Sequence, residues 1–260
     1  MSKATISELP PAIPAATLVL FDETASGPAL HLMIERSAAM AFMPGALVFP
    51  GGRVEPGDRE IARSALVTGV PEDENDAAAR VAAIRETLEE VGIATGIRPA
   101  PDAALMAAWR QALKQGAAFS ALLQHAGRHL GLSALLPYAH WLPKLPAPRR
   151  FETRFYLARH EGGHAAAHDE DEATRHVWLS AAEALEGGRT GRHTLMFPTM
   201  ANLARLATHP RFALAAAHLA STPVRLISPS LSEENGVRVL RISEGCGYPL
   251  TAHPIRGEVR

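Results

Sequence analysis

Three glutamates and an arginine fall within one short stretch, Arg85-Glu86-Thr87-Leu88-Glu89-Glu90-Val91-Gly92-Ile93. On a helix, Glu86, Glu89 and Glu90 stand at i, i+3 and i+4 and project from one face. Like charges at that spacing destabilise a bare helix by a few tenths of a kcal/mol per pair. A hard divalent cation such as Mg²⁺ relieves that repulsion, because it takes carboxylate oxygens as ligands. The opposite face is apolar, with Val81, Ile84, Leu88 and Val91 at helical spacing. By itself a Glu-rich helix face is most often solvated surface, here with Arg85 paired to Glu89. Upstream, Phe49-Pro50-Gly51-Gly52 follows a short apolar run. Paired glycines there let a backbone approach a ligand closely.

These residues need elements to position them. Ala16 to Asp22 and His31 to Glu35 read as the two strands of a hairpin around Ser26-Gly27-Pro28. Leu47 to Phe49 is a short strand, and Arg53 to Asp58 continues as loop. Residues 59–75 read as a helical piece followed by an acidic loop. Asn75 or Asp76 is placed to cap a helix over Ala77 to Val91, and Gly92 to end it. Residues 101–138 read as helical, with Ala103 to Gln115 and Phe119 to Gln124 the periodic parts. Phe151 to Arg159 and His176 to Leu179 read as a second hairpin flanking a His/acidic loop. Ser180 and Glu183 form a capping box, and Pro198 opens a further helix, followed by one over Phe212 to Ala220. Pro223 to Ile227 and Val237 to Ile242 are late strands. Strands interleaved with helices predict an α/β/α sandwich with a mixed β-sheet, and 101–138 a helical elaboration of it. Residues 1–14 read as a loose leader and 15–260 as a single domain, whose end (198–260) is helices and strands.

Composition excludes several classes. The net charge is −1, from 26 Lys plus Arg against 27 Asp plus Glu, so there is no footprint for non-specific nucleic-acid binding. One cysteine, Cys246, permits no intrachain disulfide and fits a reducing compartment. The apolar run Ala15 to Phe21 is too short for a signal peptide or a membrane span, and Pro10, Pro11 and Pro14 interrupt what precedes it. A soluble cytoplasmic protein is expected, with a homodimer left open.

The stretch from Gly52 to Ile93 resembles the Nudix box of the Nudix hydrolases. Arg85-Glu86, Glu89-Glu90, Gly92 and Ile93 fall in place, as do Gly51 and Gly52. It departs from the box at three points. Asp58 replaces the first glutamate, Thr87 occupies an apolar position, and residues 59–84 replace a spacer of seven, with the insertion at about 59–76. A box interrupted in this way resembles the branch of the family that includes an animal peroxisomal coenzyme A diphosphatase. Arg36-Ser37, Ala41-Phe42-Met43-Pro44-Gly45, Trp141, Arg149 to Phe155 and Leu195 to Thr199 are similar to that branch as well. Coenzyme A hydrolases of the family carry an arginine at the position of Ala41, and its loss leaves the substrate open.

The resemblance implies a metal-dependent hydrolase that cleaves a diphosphate linkage in a nucleotide derivative, a small molecule. It assigns metal ligation to Glu86, Glu89 and Glu90 with the Gly52 carbonyl, and Mg²⁺ or Mn²⁺ as the ion. Arg85 is expected to orient the glutamates. The general base is either a glutamate of the box or one in His168-Asp169-Glu170-Asp171-Glu172, with Glu172 the first choice there. Arg36, Gly51, Gly52, Arg149 and Arg154 are expected at the substrate. Phe42, Trp141 and Phe155 are either base-stacking or core residues, and His160, His164 and His168 read as a surface tract rather than a zinc site. Coenzyme A or acyl-coenzyme A is the leading substrate, with ADP-ribose or NADH the alternatives. A catalytically silent ligand sensor on the same fold is the competing class.

Overall fold

A computed structural model describes residues 9–23, 27–36, 45–145, 149–160, 162 and 175–255. In chain order the elements are β1 (Ala12–Phe21), β2 (Leu30–Glu35), β3 (Leu47–Val48), β4 (Gly51–Arg53), α1 (Pro56–Ala62), β5 (Val67–Thr68), α2 (Glu74–Val91), β6 (Ile97–Arg98), α3 (Ala103–Lys114) and α4 (Phe119–His125). There follow β7 (His129–Gly131), β8 (Leu136–Trp141), β9 (Arg150–Arg159), β10 (Arg175–Ser180), α5 (Ala181–Arg189), α6 (Phe197–Ala207), α7 (Phe212–Ser221), β11 (Leu226–Ile227), β12 (Ser230–Glu234), β13 (Val237–Arg241) and β14 (Ala252–Ile255). None of these helices is long and apolar enough to cross a membrane.

The central sheet has the order β11-β8-β9-β1-β4 and is mixed. β1 runs parallel to β9 and antiparallel to β4. Its sequence, AIPAATLVLF, is apolar almost throughout because both faces are covered. Ala16, Leu18 and Leu20 point into a core shared with α2, α3 and α4. Val19 and Phe21 point into a second core shared with α5, α6 and α7. Tyr156 and Leu157 of β9 divide between the two cores in the same way. This is the predicted α/β/α sandwich.

The two predicted hairpins do not form. β1 and β2 lie in different sheets and share a backbone bridge at Asp22–Leu30 rather than a ladder. β10 pairs with β2, which also pairs with β3, while β9 pairs with β1 and β8. Strands buried on both sides carry no alternation that says which neighbour they take. Three boundaries also move. β1 starts at Ala12, inside the stretch read as leader. β8 occupies the end of the stretch read as helical, and its ladder to β9 bulges between Pro137 and Ala139, Pro137 having no N–H to give. Helix α2 is capped by Asp73, which accepts from the Asn75 N–H at 2.9 Å, two to three residues ahead of the predicted cap. Asp76 is instead bonded to Arg80 and to the Tyr156 hydroxyl.

The insertion and the elaboration build one subassembly. Ile61 and Ala62 of α1 pack in the same core as the alanine run of α2. β5, within the insertion, joins a three-stranded sheet β5-β7-β6 with strands from beyond α2. Trp109, Phe119, Leu123 and Leu130 fill the space between them. The insertion therefore braces the N-terminal half of α2.

His31 illustrates how tightly the β1–β2 region is sealed. It is 1% exposed, bonded through Nδ1 to the Leu20 carbonyl at 2.9 Å and edge-on to Phe21. Burial lowers its pKa to about 4. The unfolded chain then binds the proton more readily than the folded one. Stability from this group is complete above pH ~6.5 and falls away as the pH drops through about 4, by up to about 3 kcal/mol in total. Urea unfolding at pH 7, 5 and 4 should show a shallower acid loss for His31→Asn than for the wild type. Parallel curves would show that His31 carries no such linkage.

Candidate active site

The C-terminal half of α2 runs beside β4. Gly51 donates its N–H to the Glu90 carboxylate at 2.9 Å. A Cβ on Gly52 would lie 2.4 Å from the Glu86 carboxyl carbon, so only glycine leaves that side chain where it is. Gly51 has φ of +153°, and a Cβ there would meet the Ala16 carbonyl oxygen of β1 at 2.3 Å. The first glycine thus permits the β1–β4 pairing and the second permits the glutamate contact. The two halves of the motif, separate in sequence, meet in space.

Arg85 is the hub behind this face. Its guanidinium grips Asp58 through two bonds of 2.9 and 3.0 Å and donates to the Arg53 carbonyl at 3.0 Å. It also faces Glu86 at 3.0 Å and Glu89 at 3.6 Å. Asp58 is 1% exposed and takes a further bond from the Glu55 N–H, closing a capping box at the start of α1. Asp58 therefore fills the box position by holding Arg85, and the shorter side chain suffices. Thr87 fits its apolar position because its buried hydroxyl donates to the Ala83 carbonyl at 2.7 Å. Gly92 has φ of 70°, and its N–H returns to the Leu88 carbonyl, as predicted.

Burial raises the pKa of Glu86 to about 7, Arg85 pulling it back and Glu89 adding to the rise. Burial raises Glu90 to about 8, the Gly51 N–H opposing and the Glu86 charge contributing. Arg36 also favours the ionised form of Glu90, which puts a positive field at the mouth of this face. The donors are all oxygen, lie within one and a half turns, and carry more negative charge than Arg85 balances. That chemistry fits a hard divalent cation. Among the described residues no three acidic or histidine side chains converge on one point. Glu86 and Glu89 are turned to Arg85, and Glu90 to Gly51.

The other predicted site residues divide. Arg36 stands near the cluster, its backbone closing the turn to Gly45 and Ala46. Arg154 does not reach it. It pairs with Asp73 at 2.9 Å and Asp76 at 3.5 Å, at the opposite end of α2. The rise of a helix separates those positions from Glu90 by about 20–25 Å. The two carboxylates at that helix start attract the guanidinium and outweigh the positive end of the helix dipole. Arg149 is exposed just ahead of β9. Trp141 and Phe155 are core residues, Trp141 bonded to the Tyr248 hydroxyl. His160 lies against Trp178. Ala41, Phe42, His164, His168 and Glu172 lie outside the described residues. Two residues escaped the sequence reading in their roles: Asp58 as the counterion of Arg85, and Arg110, whose bonds to α2 go to backbone carbonyls and leave no trace in sequence spacing.

Comparison with known proteins bears on this geometry. The family model of the NUDT19 Nudix domain matches residues 61–206. The acyl-coenzyme A diphosphatase NUDT19 of Gallus gallus is 29% identical over 227 residues, covering 67% of this chain and 60% of that protein. The Homo sapiens protein of the same name is 27% identical over 224 residues, covering 68% and 60%. The chain thus spans about 60% of the length of the curated relatives it matches. The crystal structure of a NUDIX hydrolase from Alicyclobacillus acidocaldarius superposes with a TM-score of 0.69 at 30% identity, over 80% of this chain and 96% of that one. With an interrupted box reassembled around Arg85 and a family match across more than half its length, the chain belongs to the Nudix hydrolases, in the group of the NUDT19 Nudix domain.

Proposed function

We propose that the chain hydrolyses the diphosphate linkage of a nucleoside diphosphate derivative, with coenzyme A or acyl-coenzyme A as substrate. The observation that carries the reading is the carboxylate face of α2 set against Gly51 and Gly52. The likeness to acyl-coenzyme A diphosphatases supports the substrate class. Mg²⁺ or Mn²⁺ is proposed as the ion, held by Glu86, Glu89, Glu90 and the Gly52 carbonyl. When bound, such an ion neutralises phosphoryl charge and acidifies a water.

The chain's own residues prepare that site. Arg85, held by Asp58, opposes the burial of Glu86 and keeps its carboxylate directed along the helix face. The Gly51 N–H does the same for Glu90. The missing side chain of Gly52 leaves the space that the Glu86 carboxylate occupies against β4. Arg36 lends positive charge where an anionic substrate enters. Glu172 is retained as the proposed general base, and Arg149 as a proposed substrate contact. Arg154 is withdrawn from that role, since its guanidinium serves the start of α2.

Assay of coenzyme A, acyl-coenzyme A, ADP-ribose and NADH with Mg²⁺ or Mn²⁺ should show turnover, fastest on a coenzyme A compound. Glu89→Gln and Glu90→Gln should each reduce kcat by at least ~100-fold. Turnover of none of the four, without metal binding, would favour the ligand sensor. A second test separates site from scaffold. Gly52→Ala should push the Glu86 carboxylate aside while the flexible end of that side chain absorbs the clash, so Tm should change little and kcat should drop sharply. Gly51→Ala meets backbone instead and should lower Tm itself. Equal Tm losses for the two variants would contradict this division.

A further inference from the structure

The last turn of α2 has an electrostatic problem. A helix C-terminus carries partial negative charge and favours cations, yet this one ends in Glu89 and Glu90 and has no basic residue in its last turn. Its last four carbonyls also lack partners within the helix. The Gly92 N–H serves Leu88. Arg110, from α3, donates Nε–H to the Glu89 carbonyl at 3.0 Å and an Nη2–H to the Glu90 carbonyl at 2.6 Å. Arg110 is itself 9% exposed.

The neighbours of Arg110 fix where it can reach. Met106, Trp109 and Leu113 dock the buried face of α3, and Trp109 meets Phe119 of α4 edge-on at 6.3 Å. The guanidinium therefore arrives on a rigid element, not on a loop. It places a cation at the negative end of the helix and fixes the backbone of Glu89 and Glu90, whose carboxylates face Arg85 and Gly51. A guanidinium can hold two carbonyls at once in a way that one ammonium donor cannot.

We infer that Arg110 is a positioning residue for the metal-binding face, and that the α3–α4 elaboration exists in part to deliver it. In this role Arg110 works through its bonds to backbone carbonyls. It acts on the main chain of Glu89 and Glu90, holding the last turn closed so that the two side chains stay in register with Glu86 and Gly52. Without it the Glu89 and Glu90 carbonyls lose these donors and the turn frays, as helix ends do. The inference rests on the metal site proposed above.

Isothermal titration of the full chain with Mn²⁺, in the absence of substrate, tests it. Arg110→Ala should weaken Mn²⁺ binding about 10–100-fold, the range seen when a group that orients metal ligands is removed. Arg110→Lys should recover part of the loss. Leu113→Ala, in the same helix but remote from the carbonyls, should lower Tm as a core truncation does and leave Mn²⁺ affinity within about twofold. Glu89→Gln is run in parallel. Wild-type affinity in Glu89→Gln overturns the metal site itself. Lost affinity in Glu89→Gln with wild-type affinity in Arg110→Ala overturns only the role of Arg110. Equal losses of affinity in Leu113→Ala and Arg110→Lys would likewise overturn it, by showing that any damage to α3 suffices. Should Arg110→Ala not fold, Arg110→Lys against Leu113→Ala decides the same question.

Discussion

The buried pair of Arg85 and Asp58 is the contact on which the candidate site depends. Asp58 belongs to the first turn of α1, just past the glycine strand, and Arg85 to the middle of α2. Two bonds between them, with a third from Arg85 to the Arg53 carbonyl, close the long excursion between the two halves of the box. Both side chains are nearly inaccessible, at 9% and 1% exposure. Removing one partner of such a pair leaves the other as an unpaired buried charge, at a cost of about 3–5 kcal/mol. The same guanidinium holds Glu86 and Glu89, so the stability of the loop and the direction of the carboxylates are set by one group.

Much of this site was legible in the sequence. Glu86, Glu89 and Glu90 share a face because helical spacing dictates it, and Gly92 ends the helix because only glycine takes φ of 70° without strain. The two glycines of β4 were readable as points of close approach, and each proves to have its own reason for lacking a Cβ. Arg154 was misread because its charge was visible and its partners were not. Asp73 and Asp76 lie far from it in sequence and reach it only once β9 lies beside the start of α2. Arg110 was invisible for a related reason, since its acceptors on α2 are carbonyls that every residue possesses.

The fold was legible as a class and less so as a topology. Interleaved helices and strands imply layers on both sides of a sheet, and the two cores divided by β1 and β9 bear this out. Strand partners did not follow, because β1 is apolar on both faces and its neighbours in space are β9 and β4, not the strand that follows it. The insertion and the 101–138 segment read as separate oddities. They are one device, joined through the β5-β7-β6 sheet, and between them they hold both ends of α2. Arg80 binds the carbonyls of Leu132 and Leu135 near one end, and Arg110 those of Glu89 and Glu90 at the other.

The central claim is that three carboxylates of α2 and the backbone of β4 form one divalent-metal centre. Anomalous diffraction from crystals soaked in Mn²⁺ tests it most directly. The account predicts a manganese peak between Glu86, Glu89, Glu90 and the Gly52 carbonyl. A well-occupied peak elsewhere in the chain, with none at these four groups, would contradict it.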